Sequence, residues 1–148
     1  MPRPQSLDVL NRVLTTLYRS LPMYLEYAIP WTHHGDQRAV ATVKHIIDDQ
    51  KALCRRIGDD ILEHHGRIDS GDYPLAFTSL NDVALDYLIG RLIESQKQDI
   101  RVLENCVAQL EHDPRSRSLA EEALGAARGH LESLEELSGL AINSPAFR

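Results

Sequence analysis

The sequence predicts an all-α protein, a bundle of four long helices forming one domain over residues 1–148. Three observations carry that reading. Four segments repeat apolar residues at steps of three and four, and none sustains the alternation of a half-buried strand. A length of 148 residues suits a single core. The gaps between the segments comprise two short connections and one long one, which restricts how the helices can be joined.

The first helix is expected over about 6–29. Its stripe is Leu7, Leu10, Leu14, Leu17, Leu21, Tyr24 and Ala28, a seam that stays on one face throughout. Ser6 suits the N-cap, Pro22 should kink the helix, and Pro30 should end it. The second, over about 37–65, follows Asp36 as cap and carries Ala39, Val43, Ile46, Gln50, Leu53, Ile57 and Ile61. Gly66 is expected to close it as the C′ glycine. Residues 67–78, with Gly71 and Pro74, lose the helical period. Ser79 then caps a third helix over about 80–112, where Asp82 and Asp86 suit the positive end of the dipole. Its seam is Leu85, Ile89, Leu92, Gln96, Ile100, Leu103, Val107 and Leu110. Asp113-Pro114 opens the fourth helix, about 115–139, with Ala120, Ala123, Ala127, His130, Leu134, Leu137 and Ala141 on its seam and Gly139 near its end.

The short connections make antiparallel hairpins of the first and second helices and of the third and fourth. The middle segment of about 13 residues can extend about 40 Å, and a helix of about 25 residues is about 38 Å long. It is therefore long enough to run the length of the bundle. Two hairpins joined by one long crossover form the ferritin-like arrangement, whereas up-down bundles use short loops throughout.

Composition narrows the function classes. Hydrophobic residues at 43% and charged residues at 26% are those of a globular chain. Sixteen basic against 22 acidic residues give a net charge of −6, which argues against a general nucleic-acid surface. No apolar run is long enough to cross a membrane, and the first residues, Met1-Pro2-Arg3-Pro4-Gln5, do not read as a signal peptide. Cys54 and Cys106 lie in apolar patterns and read as reduced core thiols, in keeping with a cytoplasmic protein.

Particular fragments bring a family into view. Leu10-Asn11 with Leu14, Tyr24 and Ala28 resembles the opening helix of bacterioferritins and their rubrerythrin-like relatives. Asp49-Gln50 through Arg56-Ile57 to Ile61-Leu62 and His65-Gly66 resembles their second helix, and Gly129-His130-Leu131 through Leu134-Glu135-Glu136-Leu137 their last. The resemblance covers nearly the whole chain and implies a ferritin-like fold. In that family a di-iron centre takes one Glu from each of two helices and a Glu-x-x-His from each of the other two. Carried over, the first Glu falls on Leu17 and the second helix's motif on Gln50 and Leu53. The third helix's Glu falls on Gln96 by seam; counting back without a gap gives Glu94, about 200° round the helix. The last motif falls on Ala127 and His130. Only His130 keeps its ligand type. The position resembling the haem-ligand methionine is Lys51. The resemblance thus leads to an expectation of no di-iron centre and no haem.

Gln50, Gln96 and His130 share one level of the seams, and the simplest expectation is a buried Gln–Gln–His hydrogen-bond network. His45 with Asp48 and Asp49, and Asp60 with His64, have the spacing of metal pairs on a helix face but read more simply as solvated pairs. Tyr18, Tyr24, Tyr27 and Trp31 form the main aromatic concentration, Tyr24 on the seam and Tyr27 and Trp31 four apart on a neighbouring face. Packing of this group against the crossover through Tyr73 and Phe77 is expected, with stacking of a ligand as the alternative. No nucleophile elbow or phosphate loop accompanies the Ser, His and Asp residues.

These readings converge on a non-catalytic bundle serving as a binding or assembly scaffold. The alternative is a metal-binding protein or oxidoreductase with a rearranged site around His130, drawing on Glu94, His45, Asp48 or Asp49. A homodimer through the first two helices is also expected, without nucleic-acid or membrane partners. Val9, Val13, Leu25, Val40, Ile47 and Cys54 lie off the seams; some are expected to widen the core stripe, and others to leave an apolar strip there unless Tyr73, Leu75 and Phe77 of the crossover cover it.

Overall fold

The computed structural model describes residues 4–26, 37–68, 73, 77 and 85–142. The described residues form five helices: α1 Pro4–Tyr18, α2 Leu21–Leu25, α3 Gln37–Glu63, α4 Leu85–Gln109 and α5 Pro114–Ile142. There is no strand among the described residues. Ala28, Pro30, Asp36, Gly71, Pro74, Leu75, Ser79 and Asp82 lie outside them, as do Tyr27, Trp31 and His33-His34.

The single helix expected over 6–29 is in fact two. The cause is Pro22, whose ring would strike the carbonyl of Tyr18 four residues earlier and which has no N–H to offer it. The chain leaves the helix at Tyr18, extends at Ser20 (φ −68°, ψ 159°) and re-enters at Leu21, with proline in the first turn where its missing donor is harmless. Ser20 caps the new helix, its Oγ accepting from the Met23 N–H at 3.5 Å.

The end of α3 also differs in detail from the expected C′ glycine. His65, at φ 63°, takes the left-handed position. Its N–H donates to the Leu62 carbonyl at 3.0 Å, and that of Gly66 donates to Ile61 at 2.8 Å, the paired bonds of a Schellman closure. Gly66 is needed for closeness: a Cβ there would stand 2.8 Å from the Ile61 Cγ2.

The helix α5 starts as its sequence demands and runs beyond Gly139 to Ile142. Asp113 accepts from the Ser116 N–H at 3.3 Å and the Ser116 hydroxyl at 3.0 Å, with Pro114 in the first helical position.

The long helices pack in a closed ring, α1 on α3, α3 on α5, α5 on α4 and α4 on α1, with α2 seated on α3 and α4. Their seams fill the interior as two apolar clusters. One joins Leu10, Val13, Leu17, Leu53, Ile57, Leu103 and Ala123. The other joins Leu21, Leu25, Val43, Ile46, Leu88, Leu92 and Leu134. Val9, Val13, Leu25 and Ile47 are buried within the chain, so most of the expected apolar strip is core; Val40 and Cys54 are half-buried. The reason is that α1 touches both α3 and α4, which demands a stripe wider than one seam. Tyr24 packs on Tyr73 and Phe77, with ring centroids 5.3 and 5.6 Å apart.

Burial pushes the Asp113 carboxyl up, but hydrogen bonds from Ser6 and Ser116 outweigh it and hold the group below its ordinary value. A lowered carboxyl stabilises the fold above its unfolded value and loses that contribution as pH falls through the folded one. Asp113→Ala should therefore cost about 1 kcal/mol near pH 7. Urea unfolding should show that penalty shrinking below about pH 4.

Candidate functional site

The six positions carried over from the di-iron family are all buried: Leu17, Gln50, Leu53, Gln96, Ala127 and His130 are each at most 7% exposed. Three are polar, and they fall where the two apolar clusters meet. Gln50 lies between Ile47 of one cluster and Leu53 of the other, Gln96 between Leu92 and Ile100, and His130 between Ala127 and Leu134. A fourth polar residue, Ser20, lies between Leu17 and Leu21. The bundle thus has an apolar half on each side of a polar waist. Glu94 is exposed on the far side of α4 from Gln96.

No direct hydrogen bond joins Gln50, Gln96 and His130; each of the three turns to another partner. Gln50 Oε1 accepts from the Ser20 hydroxyl at 3.1 Å, tying α3 to the break between α1 and α2. Gln96 Nε2 donates to the Ala127 carbonyl at 3.1 Å, tying α4 to α5. His130 Nε2 lies 2.8 Å from Asp49 Oδ2, tying α5 to α3. The same oxygen lies 3.4 Å from the exposed His45 Nε2, one turn earlier on α3, and the two imidazoles meet edge-on at 6.5 Å. The reason for the divergence is local. A serine cap, a backbone carbonyl and a half-exposed carboxylate are each closer to hand than another core side chain.

The partners fix the chemistry of the waist. An ionised Asp49 only accepts, so the proton of a neutral His130 lies on Nε2 and Nδ1 is a bare acceptor. Gln96 Oε1 is another acceptor. Both atoms are buried without a hydrogen-bond partner among the described residues, and two acceptors cannot satisfy each other. The level therefore holds two neutral amides, one hydroxyl and one imidazole. Its single carboxylate, Asp49, lies towards the surface.

The other candidates are dispersed. Asp48 is exposed and makes no part of this arrangement. Asp60 is buried, but its Oδ1 is held at 3.0 Å by Arg115, while His64 Nδ1 turns to the Asp60 carbonyl at 2.8 Å. That pair is a structural tie between α3 and α5. Among the described residues, no three His, Cys, Asp or Glu groups are arranged to hold a metal ion. Cys54 and Cys106 are free thiols; burial pushes Cys54 up to about 12, away from reactivity. Ser20 and the cross-helix role of Asp49 went unnoticed in the sequence. Ser20 did carry a signal, a capping residue two before Pro22.

No protein-family model matches the chain, and no curated protein matches it in sequence.

Replacing a buried, unpaired polar atom with an apolar group of similar size is neutral or stabilising. Gln96→Leu should therefore leave stability unchanged or raise it by about 1 kcal/mol, the Ala127 carbonyl keeping its own helical partner. His130→Leu should preserve the fold, whereas His130→Ala opens a cavity and costs several kcal/mol at most. Thermal melts of the three variants check the order.

Proposed function

We propose that this chain is a ferritin-like four-helix bundle that lacks a ferroxidase centre and works as a non-catalytic binding or assembly scaffold in the cytoplasm. The observation that carries the reading is the chemistry of the waist. Iron held for oxidation needs anionic oxygen donors with open positions for oxygen. Leu17, Leu53 and Ala127 offer no donor, Gln50 and Gln96 offer neutral amides, and His130 is turned to Asp49. The ring of helix contacts and the short turn between α4 and α5 support two antiparallel hairpins, α1–α2 with α3 and α4 with α5, joined by one long crossover. Haem forms no part of the proposal, since Lys51 pairs with Glu26 at the position where the resembling family places a methionine. The alternative, a metal or redox protein built around His130, has less behind it. Its nearest carboxylate is shared with His45, and Glu94 and Asp48 point away to solvent.

The same reading includes pairing of two copies through the first two helices, as the resembling family often does. With most of the strip buried, one apolar patch left among the described residues is a groove of about 580 Å³ where α1 and α2 meet α3, flanked by Lys51 and Arg55. Tyr18 and Ile68, 42% and 40% exposed, line it beside Cys54 and Leu14. No helix among the described residues is long and apolar enough to cross a membrane, so an apolar groove there is better matched to a second copy than to a bilayer.

Anaerobic iron loading, followed by metal analysis and a ferroxidase assay, tests the first part. The expected result is no stoichiometric iron and no activity; two tightly held irons per chain would overturn it. Light scattering tests the second and should give twice the chain mass, whereas 16.7 kDa at high micromolar concentration would reject the pair.

A further inference from the structure

A second site lies away from the waist, in a groove of about 670 Å³ between α1 and α4. That volume lies within the range of small-molecule sites. Arg12 and Arg19 line it from the α1 side and Arg67 from the segment after α3, with Asp99 and Val102 on α4 opposite. Arg67 is anchored there through its backbone, the Asn11 side-chain amide donating to its carbonyl at 2.6 Å. Arg12 extends across the groove to α4, its guanidinium 3.3 Å from Gln109 Oε1. Three guanidinium groups share this one groove in a chain whose net charge is −6, and Asp8 and Asp99 are the carboxylates among its described lining residues.

Asp99 is the telling member. It is half-buried, and burial pushes its carboxyl up to about 7, with no nearby cation offsetting the cost. Among the described residues no arginine forms an ion pair with Asp99, yet Arg12, Arg67 and Asp99 line one common space. A simple anion would suit Arg12 and Arg67 and leave Asp99 facing a like charge. A simple cation would do the reverse. A molecule with both charges satisfies both sides, and methylenes between them would lie along Val102, which is 38% exposed.

We infer that this groove binds a small organic zwitterion, with its acidic group on Arg12 and Arg67 and its protonated amine on Asp99. Guanidinium suits the acidic end because its planar fork matches a carboxylate bidentately. The ammonium supplies the countercharge that Asp99 lacks. Nothing here depends on the scaffold reading, so iron loading and this test can fail separately.

The test is an amide NMR titration of the full chain with ω-amino acids of increasing length, from glycine to 6-aminohexanoate, at low salt and about pH 7.5. Butyrate and butylamine serve as single-charge controls. One length should produce saturable shifts confined to the α1 and α4 amides around the groove, and each control should bind at least about tenfold more weakly. Asp99→Asn is isosteric and Arg67→Gln alters an exposed side chain, so amide dispersion should be retained in both. Each should weaken the matched ligand by about tenfold or more, and Asp99→Asn should leave butyrate unaffected. The inference is overturned if no length saturates, if butyrate binds as tightly as the matched amino acid, or if neither variant weakens binding.

Discussion

The polar waist formed by Ser20, Gln50, Gln96 and His130 is the constraint to which the rest of the bundle adapts. Buried polar groups must find partners, and here each finds one on a different element. Gln50 reaches the break after α1, Gln96 reaches the backbone of α5, and His130 reaches α3. Every long element is tied to another at the same height, which fixes helix register where purely apolar seams tolerate sliding. The break after Tyr18 belongs to this arrangement. Without it, Ser20 would be an interior helix residue, and its hydroxyl would compete for a backbone carbonyl instead of serving both the Met23 N–H and Gln50.

The waist is also where a ferritin-like bundle would place its metals, and the side chains there point to a different use of the same space. Of the four carboxylate positions carried over from the resembling family, two fall on amides, one on alanine and one on leucine. These neutral residues fit the layer, because the seams on either side continue as leucine, isoleucine and alanine. His130 keeps an ionisable group at this level, but its proton-bearing nitrogen faces a surface carboxylate rather than the interior. Charged side chains gather elsewhere, along the groove between α1 and α4.

Much of this was legible in the residues, and the rest failed for identifiable reasons. Strict steps of three and four gave the seams, and every described seam position from Ala39 to Ile61 is buried. Asp113-Pro114 gave the start of α5 because cap and proline act locally. The break at Tyr18 was underestimated as a kink, since a proline's clash says that a helix is disturbed and only the nearby Ser20 says that it restarts. The sequence shows that Val13, Leu25 and Ile47 lie off the seams but not which of them are core, because a seam counts one neighbour and each of their helices has more than one. The Gln–Gln–His network was proposed from a shared level. Level is a one-dimensional property, whereas a hydrogen bond depends on which atom each side chain meets in three dimensions. Asp49 shows the gap well: its spacing to His45 is visible in sequence, but its contact with His130 spans 81 positions.

Two apolar clusters on opposite sides of a polar layer also bear on how the molecule comes apart. Cooperativity within a core comes from dense apolar contact, and that contact thins at the waist, where hydrogen bonds replace it. One cluster contains α1 with the later half of α3 and the early half of α5, while the other contains α2 with the complementary halves. The long helices run through both and couple them only along their backbones and through the three polar ties. A bundle built in this way has two partly autonomous opening units sharing the same helices, so amide protection should step down across the waist and not decline smoothly from the centre. The short α2, held by one cap and one cluster, marks the half that opens first.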